Sequence, residues 1–141
     1  MGKYNFDEEI NGLDTFSVES TIKIIREVNK KCLIVIKSTV PVGFTDKMIE
    51  NYDDNIIFYP EFLREKSAVN DVLNPSRIVL GIKKINKKIL NFSNLIEACI
   101  KNSEKTMIMK CKEAESVKLF SNAYLAMRIS FFNELDSFAY Q

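Results

Sequence analysis

Cys32-Leu-Ile-Val-Ile-Lys-Ser-Thr-Val-Pro-Val-Gly43 opens on five apolar residues and closes on two breakers, Pro41 and Gly43. An unbroken apolar run of that length suits a central strand of a parallel sheet, covered by helices on both faces. Ser38 to Gly43 then forms the loop at the strand's carboxyl end, where Pro and Gly halt regular structure. Upstream, Val18, Ile22, Ile25 and Val28 fall on one face of a helix, with Ser17 as its expected cap and Glu19 in its first turn. Met1 to Leu13 is polar and weakly patterned, and reads as a loop or frayed end.

Downstream, Thr45 is the expected cap of a short helix through about Asn51. Asp53-Asp54-Asn55 makes a turn, Ile56 to Tyr59 a strand, and Pro60 its end. Ile78 to Ile82 and Thr106 to Met109 are two further strands. Between them, Ile89, Phe92, Leu95, Ile96, Cys99 and Ile100 give Asn86 to Lys101 a helical period. Lys112 to Ala139 reads as one long helix, roughly 42 Å at 1.5 Å per residue. Strands alternating with helices imply an α/β fold: a partial Rossmann-like parallel sheet with flanking helices, followed by a long central helix. Residues 1–110 form the α/β unit in this reading and 111–141 the helix. Ligands bind such sheets at the carboxyl ends of the strands. Ser38-Thr39 and Glu61 to Glu65 both fall at that end.

Composition narrows the function classes. Twenty basic and 19 acidic residues leave a net charge of +1, which gives no global attraction to nucleic acid. The lysines at 83, 84, 87 and 88 read as a solvated helix edge. No apolar run reaches the 18 or so residues a bilayer span needs, so no membrane is implied. With no histidine and three scattered cysteines, zinc constellations cannot be assembled and no metal is expected. Cys32 and Cys99 lie in apolar runs and read as packing residues. Free thiols suit the cytoplasm.

The long helix carries Lys118 and Asn122 inside an otherwise apolar run. Residues four apart share one helix face, so an ammonium and a carboxamide point the same way and can grip one oxygen atom. The alternative is two solvated residues on an amphipathic helix. Glu61 and Glu65 lie one turn apart if their segment is helical, and suit proton handling. The short hydroxyl of Thr39 could hold a water or meet a cofactor ring.

Three segments together resemble the UDP-glucose 6-dehydrogenase family: Val35 to Thr45, Pro60 to Glu65 with Asn74-Pro-Ser-Arg-Ile-Val79, and the long helix. They occur in the family's order and spacing. The resemblance implies NAD as cofactor and UDP-glucose as substrate, oxidised in two steps to the uronic acid that serves polysaccharide biosynthesis. It implies catalytic roles for Thr39, Glu61, Lys118 and Asn122, and cofactor contacts for Thr39 and Glu65. Substrate would lie along Phe62, Leu63 and Arg64, beside Glu61, Lys118 and Asn122. It further implies a cytoplasmic homodimer joined through the long helix, with residues 1–110 as the second half of an NAD-binding domain.

Three features set the chain apart from that pattern. Its only glycines are Gly2, Gly12, Gly43 and Gly81, so the Gly-x-Gly-x-x-Gly turn that approaches a pyrophosphate is missing. No cysteine follows the long helix, where the family places its nucleophile. Lys66 replaces the glycine usual after the second glutamate, and a Cβ there restricts the backbone. The chain is therefore expected to be a central fragment with little activity alone. A GDP-mannose-type dehydrogenase and a non-catalytic dimerising module are the alternatives.

Overall fold

The computed structural model describes residues 6–7, 12–100 and 106–140. Two short strands, β1 (Phe6–Asp7) and β2 (Gly12–Leu13), pair antiparallel, where the sequence suggested only a loop. The main sheet holds β3 (Ile34–Ile36), β4 (Ile56–Phe58), β5 (Ile78–Gly81) and β6 (Thr106–Met109), in that spatial order. The helices are α1 (Phe16–Val28), α2 (Phe44–Asn51), α3 (Ala68–Leu73), α4 (Lys87–Cys99) and α5 (Cys111–Ala139). The α/β architecture and the long final helix are as expected from the sequence.

Strand side chains alternate between two cores. Ile34, Ile36, Ile56, Phe58 and Val79 point to a face covered by Ile22 of α1, Phe44, Met48 and Ile49 of α2, and Cys111 and Ala114 of α5. Ile57 and Leu80 point the other way, onto Ile82 and Ile89, with Phe92 and Ile96 of α4 beside them. Both faces of β4 are sealed, which is why its sequence is apolar without alternation.

One pairing departs from the parallel expectation. β3 runs parallel to β4, and β5 parallel to β6, but β4 and β5 meet antiparallel at Phe58 and Gly81. A parallel neighbour needs a long crossover back to the same end. The chain beyond Phe58 instead turns along the sheet edge and enters β5 from the end at which β4 leaves. Residues before β5 are thereby delivered to the carboxyl edge of β3 and β4.

Local details also differ from the sequence reading. α1 starts after Thr15 rather than Ser17, and Val28 is exposed, so its buried stripe ends with Arg26. The Arg26 guanidinium donates to the Cys32 carbonyl at 2.9 Å and pairs with Asp53 at 3.0 Å, tying α1 to the strand-entry edge. Gly43, not Thr45, takes the cap position of α2. Cys99 is exposed rather than packed; Lys101 lies outside the described residues. Lys83 and Lys84, between β5 and α4, and Lys87 and Lys88, which open α4, are solvent-exposed.

Candidate functional site

Lys37 follows β3 directly and Tyr59 follows β4, so parallel pairing sets both at one edge of the sheet. The next residues, Pro60 to Arg64, are neither helix nor strand. Glu61 and Glu65 therefore share no helical face, because a 3-10 turn begins only at Glu65 (Glu65–Ser67). The side chain of Glu65 is outside the described residues.

α5 reaches this edge from β6. Its first turns seat on Gly81, where a Cβ would come 2.8 Å from the Ala114 Cβ and 3.1 Å from the Cys111 Cα. This close approach lets Lys118, two turns on, meet the loop after β4. Its Nζ donates to the Glu61 carbonyl at 2.5 Å and lies 5.3 Å from the centre of the Phe62 ring. Burial lowers the Lys118 ammonium from its ordinary value; Glu61 opposes that shift and Arg77 adds to it. Asn122 follows one turn later and is half-buried. Thr39, also half-buried, lies in the loop after β3. It shares the edge through the parallel pairing of β3 and β4.

Three residues that received no role from the sequence complete the cluster. Lys37 Nζ pairs with the Glu61 carboxylate at 2.9 Å and stands 5.6 Å from the Tyr59 ring centre. Both partners are about half exposed, so the pair is worth at most about 1 kcal/mol and acts mainly by orienting Glu61. Arg77, delivered by the antiparallel turn, stacks over Phe62 at 4.2 Å from the ring centre. Asp71 binds Arg64 three times: from the backbone N–H at 2.9 Å, from Nε at 3.1 Å and from Nη2 at 2.7 Å. The Arg64 guanidinium and N–H hold the Asp71 carboxyl well below the usual carboxylate range. Arg64 thus braces the loop, and its carbonyl accepts from the Ser67 N–H at 3.0 Å. A sequence signal did exist for Lys37, a cation directly after a strand at its carboxyl end; Arg77 precedes its strand, and the parallel sheet expected from the sequence would have set it at the opposite edge. The fork from Arg64 to Asp71 had none.

Lys37, Tyr59, Glu61, Phe62, Leu63 and Arg77 line one groove at this edge. Chemically it offers a carboxylate held by a lysine, the rings of Tyr59 and Phe62 and a second cation in Arg77, with the Lys118 ammonium seated on the Glu61 carbonyl beside it. Such a set can hold a polar, anionic ligand and stabilise oxygen charge developing near Lys118. Cys111 is no nucleophile. Burial, with Asp46 beside it, pushes its thiol up to about 12.

Comparison with known proteins gives the groove a context. Residues 7–109 match the UDP-glucose/GDP-mannose dehydrogenase family, NAD binding domain, and residues 112–141 match the same family's central domain. The chain is 47% identical over 140 residues to a UDP-glucose 6-dehydrogenase of Campylobacter jejuni, covering 96% of this chain and 34% of that protein. A UDP-glucose 6-dehydrogenase of Streptococcus pneumoniae is 45% identical over 141 residues, covering 96% of this chain and 36% of that protein. Among solved structures, a UDP-glucose dehydrogenase from the archaeon Pyrobaculum islandicum superposes with a TM-score of 0.70 at 33% identity, covering 87% of this chain and 30% of the other. The chain spans about a third of the length of the curated relatives it matches.

Proposed function

The chain belongs to the UDP-glucose/GDP-mannose dehydrogenase family, and we propose that its groove serves the NAD-dependent oxidation of UDP-glucose to UDP-glucuronate. The observation that carries the proposal is the seat of Lys118 on the Glu61 carbonyl and Phe62 ring. Segments 57 residues apart meet there, at the sheet edge where ligands of such folds bind. The Campylobacter jejuni and Streptococcus pneumoniae relatives are both UDP-glucose 6-dehydrogenases, so a GDP-mannose substrate is not favoured.

Each residue has a task in this reading. Lys118 and Asn122 hold the oxygen of the reacting hydroxyl, and the ammonium stabilises the charge that grows there as the carbon is oxidised. Glu61, oriented by Lys37, handles the proton directly or through a water. Thr39 fixes that water or the cofactor ring, and Glu65 stands on the cofactor side. The sugar lies along Phe62, Leu63 and Arg64, with Arg64 held by Asp71. NAD, when bound, supplies the hydride acceptor. The half-buried hydroxyl of Thr39 at the end of β3 fits the nicotinamide end, whereas the sequence contains no glycine turn for the pyrophosphate.

Residues 1–110 then act as the second half of an NAD-binding domain and 111–141 as a central helix that joins two copies. The product suits polysaccharide biosynthesis. The three free thiols suit the cytoplasm, and no helix among the described residues is long and apolar enough to cross a membrane.

A chimaera tests the proposal. In it, this chain replaces the matching segment of the Campylobacter jejuni relative, and NADH absorbance is followed with UDP-glucose. Turnover is the expected result. A folded chimaera without turnover, beside an active parent, sinks the assignment. Calorimetric titration of the 141-residue chain with NAD and UDP-glucose separates a residual binder from a pure interaction module.

A further inference from the structure

We infer that Glu115 is a positioning residue that locks the Thr39 loop to the helix bearing Lys118 and Asn122, an inference that rests on assigning those three residues to one site. Glu115 is fully buried, which is unusual for a carboxylate. Its Oε2 accepts from the Gly43 N–H at 2.5 Å and its Oε1 from the Thr45 N–H at 2.7 Å. These donors belong to the first turn of α2, where backbone N–H groups have no partner within the helix. Gly43 has no side chain with which to cap α2, and none of the helix's own residues does so. The cap is supplied by α5 instead, from some 70 residues away.

The spacing links that cap to the site. Glu115, Lys118 and Asn122 succeed one another at intervals of three and four, so they form one stripe along α5. Glu115 grips the loop that starts at Ser38, while Lys118 grips the loop after β4. The two loops carrying Thr39 and Glu61 are thus referenced to a single rigid element. Both contacts to Glu115 are charge-assisted and short, hence directional. A carboxylate offers two acceptors and no donor. A carboxamide would turn an NH₂ toward one of the two amide N–H groups, so the loop could keep only one tether.

Two arms of one experiment test this. In the 141-residue chain, amide hydrogen exchange is read by NMR for the parent, E115Q and E115D. E115Q should lose about tenfold or more of its protection at Gly43 and Thr45, a change of 1.4 kcal/mol, and should shift the Thr39 and Val40 signals. Ile57 and Leu80, in the sheet, should keep their protection. In the Campylobacter jejuni chimaera, E115Q should lower kcat about 100-fold, the scale of a 1 Å misplacement, with KM for UDP-glucose within about threefold; E115D should recover part of the loss. An inactive parent chimaera would count against the proposed function, and the exchange arm would still decide the role of Glu115. If E115Q does not fold, the same measurements on E115D decide. Unchanged loop signals, or kcat kept within about twofold while only thermal stability falls, would overturn the inference and leave Glu115 as a helix cap alone.

Discussion

Lys118 is held at both ends of its range of action: by the Glu61 carbonyl it touches and by the burial that lowers its ammonium. Replacing it with Met keeps the stem and removes the charge. We expect K118M to cost about 10²–10³ in kcat in the chimaera, the usual scale for losing an oxyanion stabiliser, with the fold intact by circular dichroism. The alkaline limb of the parent's kcat profile should set in below 10.5, the ordinary lysine value, because the charged form is lost earlier. Asp71 makes a second prediction at this scale. Its folded value is depressed, so its stabilisation is present above the unfolded carboxylate range near pH 3.9 and is lost only as pH falls through the lower folded value. The Arg64 loop should therefore resist limited proteolysis equally at pH 4 and pH 7. D71N should make it cleavable at both. Equal resistance in D71N would remove the fork as the loop's brace.

Among the elements, α5 is the one that brings Lys118 to the loop bordering the groove. It can lie close to the sheet only because Gly81 has no Cβ. G81A would push a methyl against Ala114 and the α5 backbone, so a loss of about 1–3 kcal/mol is expected in urea unfolding, the cost of overpacking. The helix would shift outward, and Lys118 would leave Glu61. Cys111, at the first position of α5, adds a pH signature. Its thiol is raised from 9.0 to about 12, so the folded state binds the proton more tightly than the unfolded chain. Its stabilisation is complete below about pH 9 and fades as pH rises toward about 12. Alkaline unfolding curves of C111A should be flatter across that window. A parallel fall in parent and variant would show that other groups carry the effect.

For the molecule as a whole, the informative feature is what α5 leaves bare. Cys111, Ala114 and Glu115 are buried, but every residue from Ala123 to Tyr140 is exposed, including Phe131, Phe132, Leu135 and Phe138. Phe131 and Phe132 already pack edge to face, 5.5 Å between ring centres. An apolar surface of this kind favours association at roughly 25 cal/mol per Å² removed from water, less the entropy of joining. We expect a two-fold dimer in which the same helix face meets itself. Light scattering over a range of concentrations should give twice the 16.3 kDa chain mass, and F131S/F132S should return the monomer. A monomer of the parent at high micromolar concentration would refute the dimer.

The sequence by itself determined the main strands and the long helices, though not the β1–β2 pair. Apolar runs marked β3, β4 and β5, a helical period marked α1 and α4, and the four-residue spacing of Lys118 and Asn122 placed both on one face of α5. These are local properties, carried by neighbours in the chain. The tertiary structure alone decided the direction of β5, the delivery of Arg77 to Phe62, the fork from Arg64 to Asp71, and the reach of Glu115 to Gly43 and Thr45. Each of these depends on which distant segments meet. Hydrophobic patterning marks the side of an element that faces inward. It does not encode the neighbour that side will meet, and a buried carboxylate reads in sequence like any other Glu on a helix.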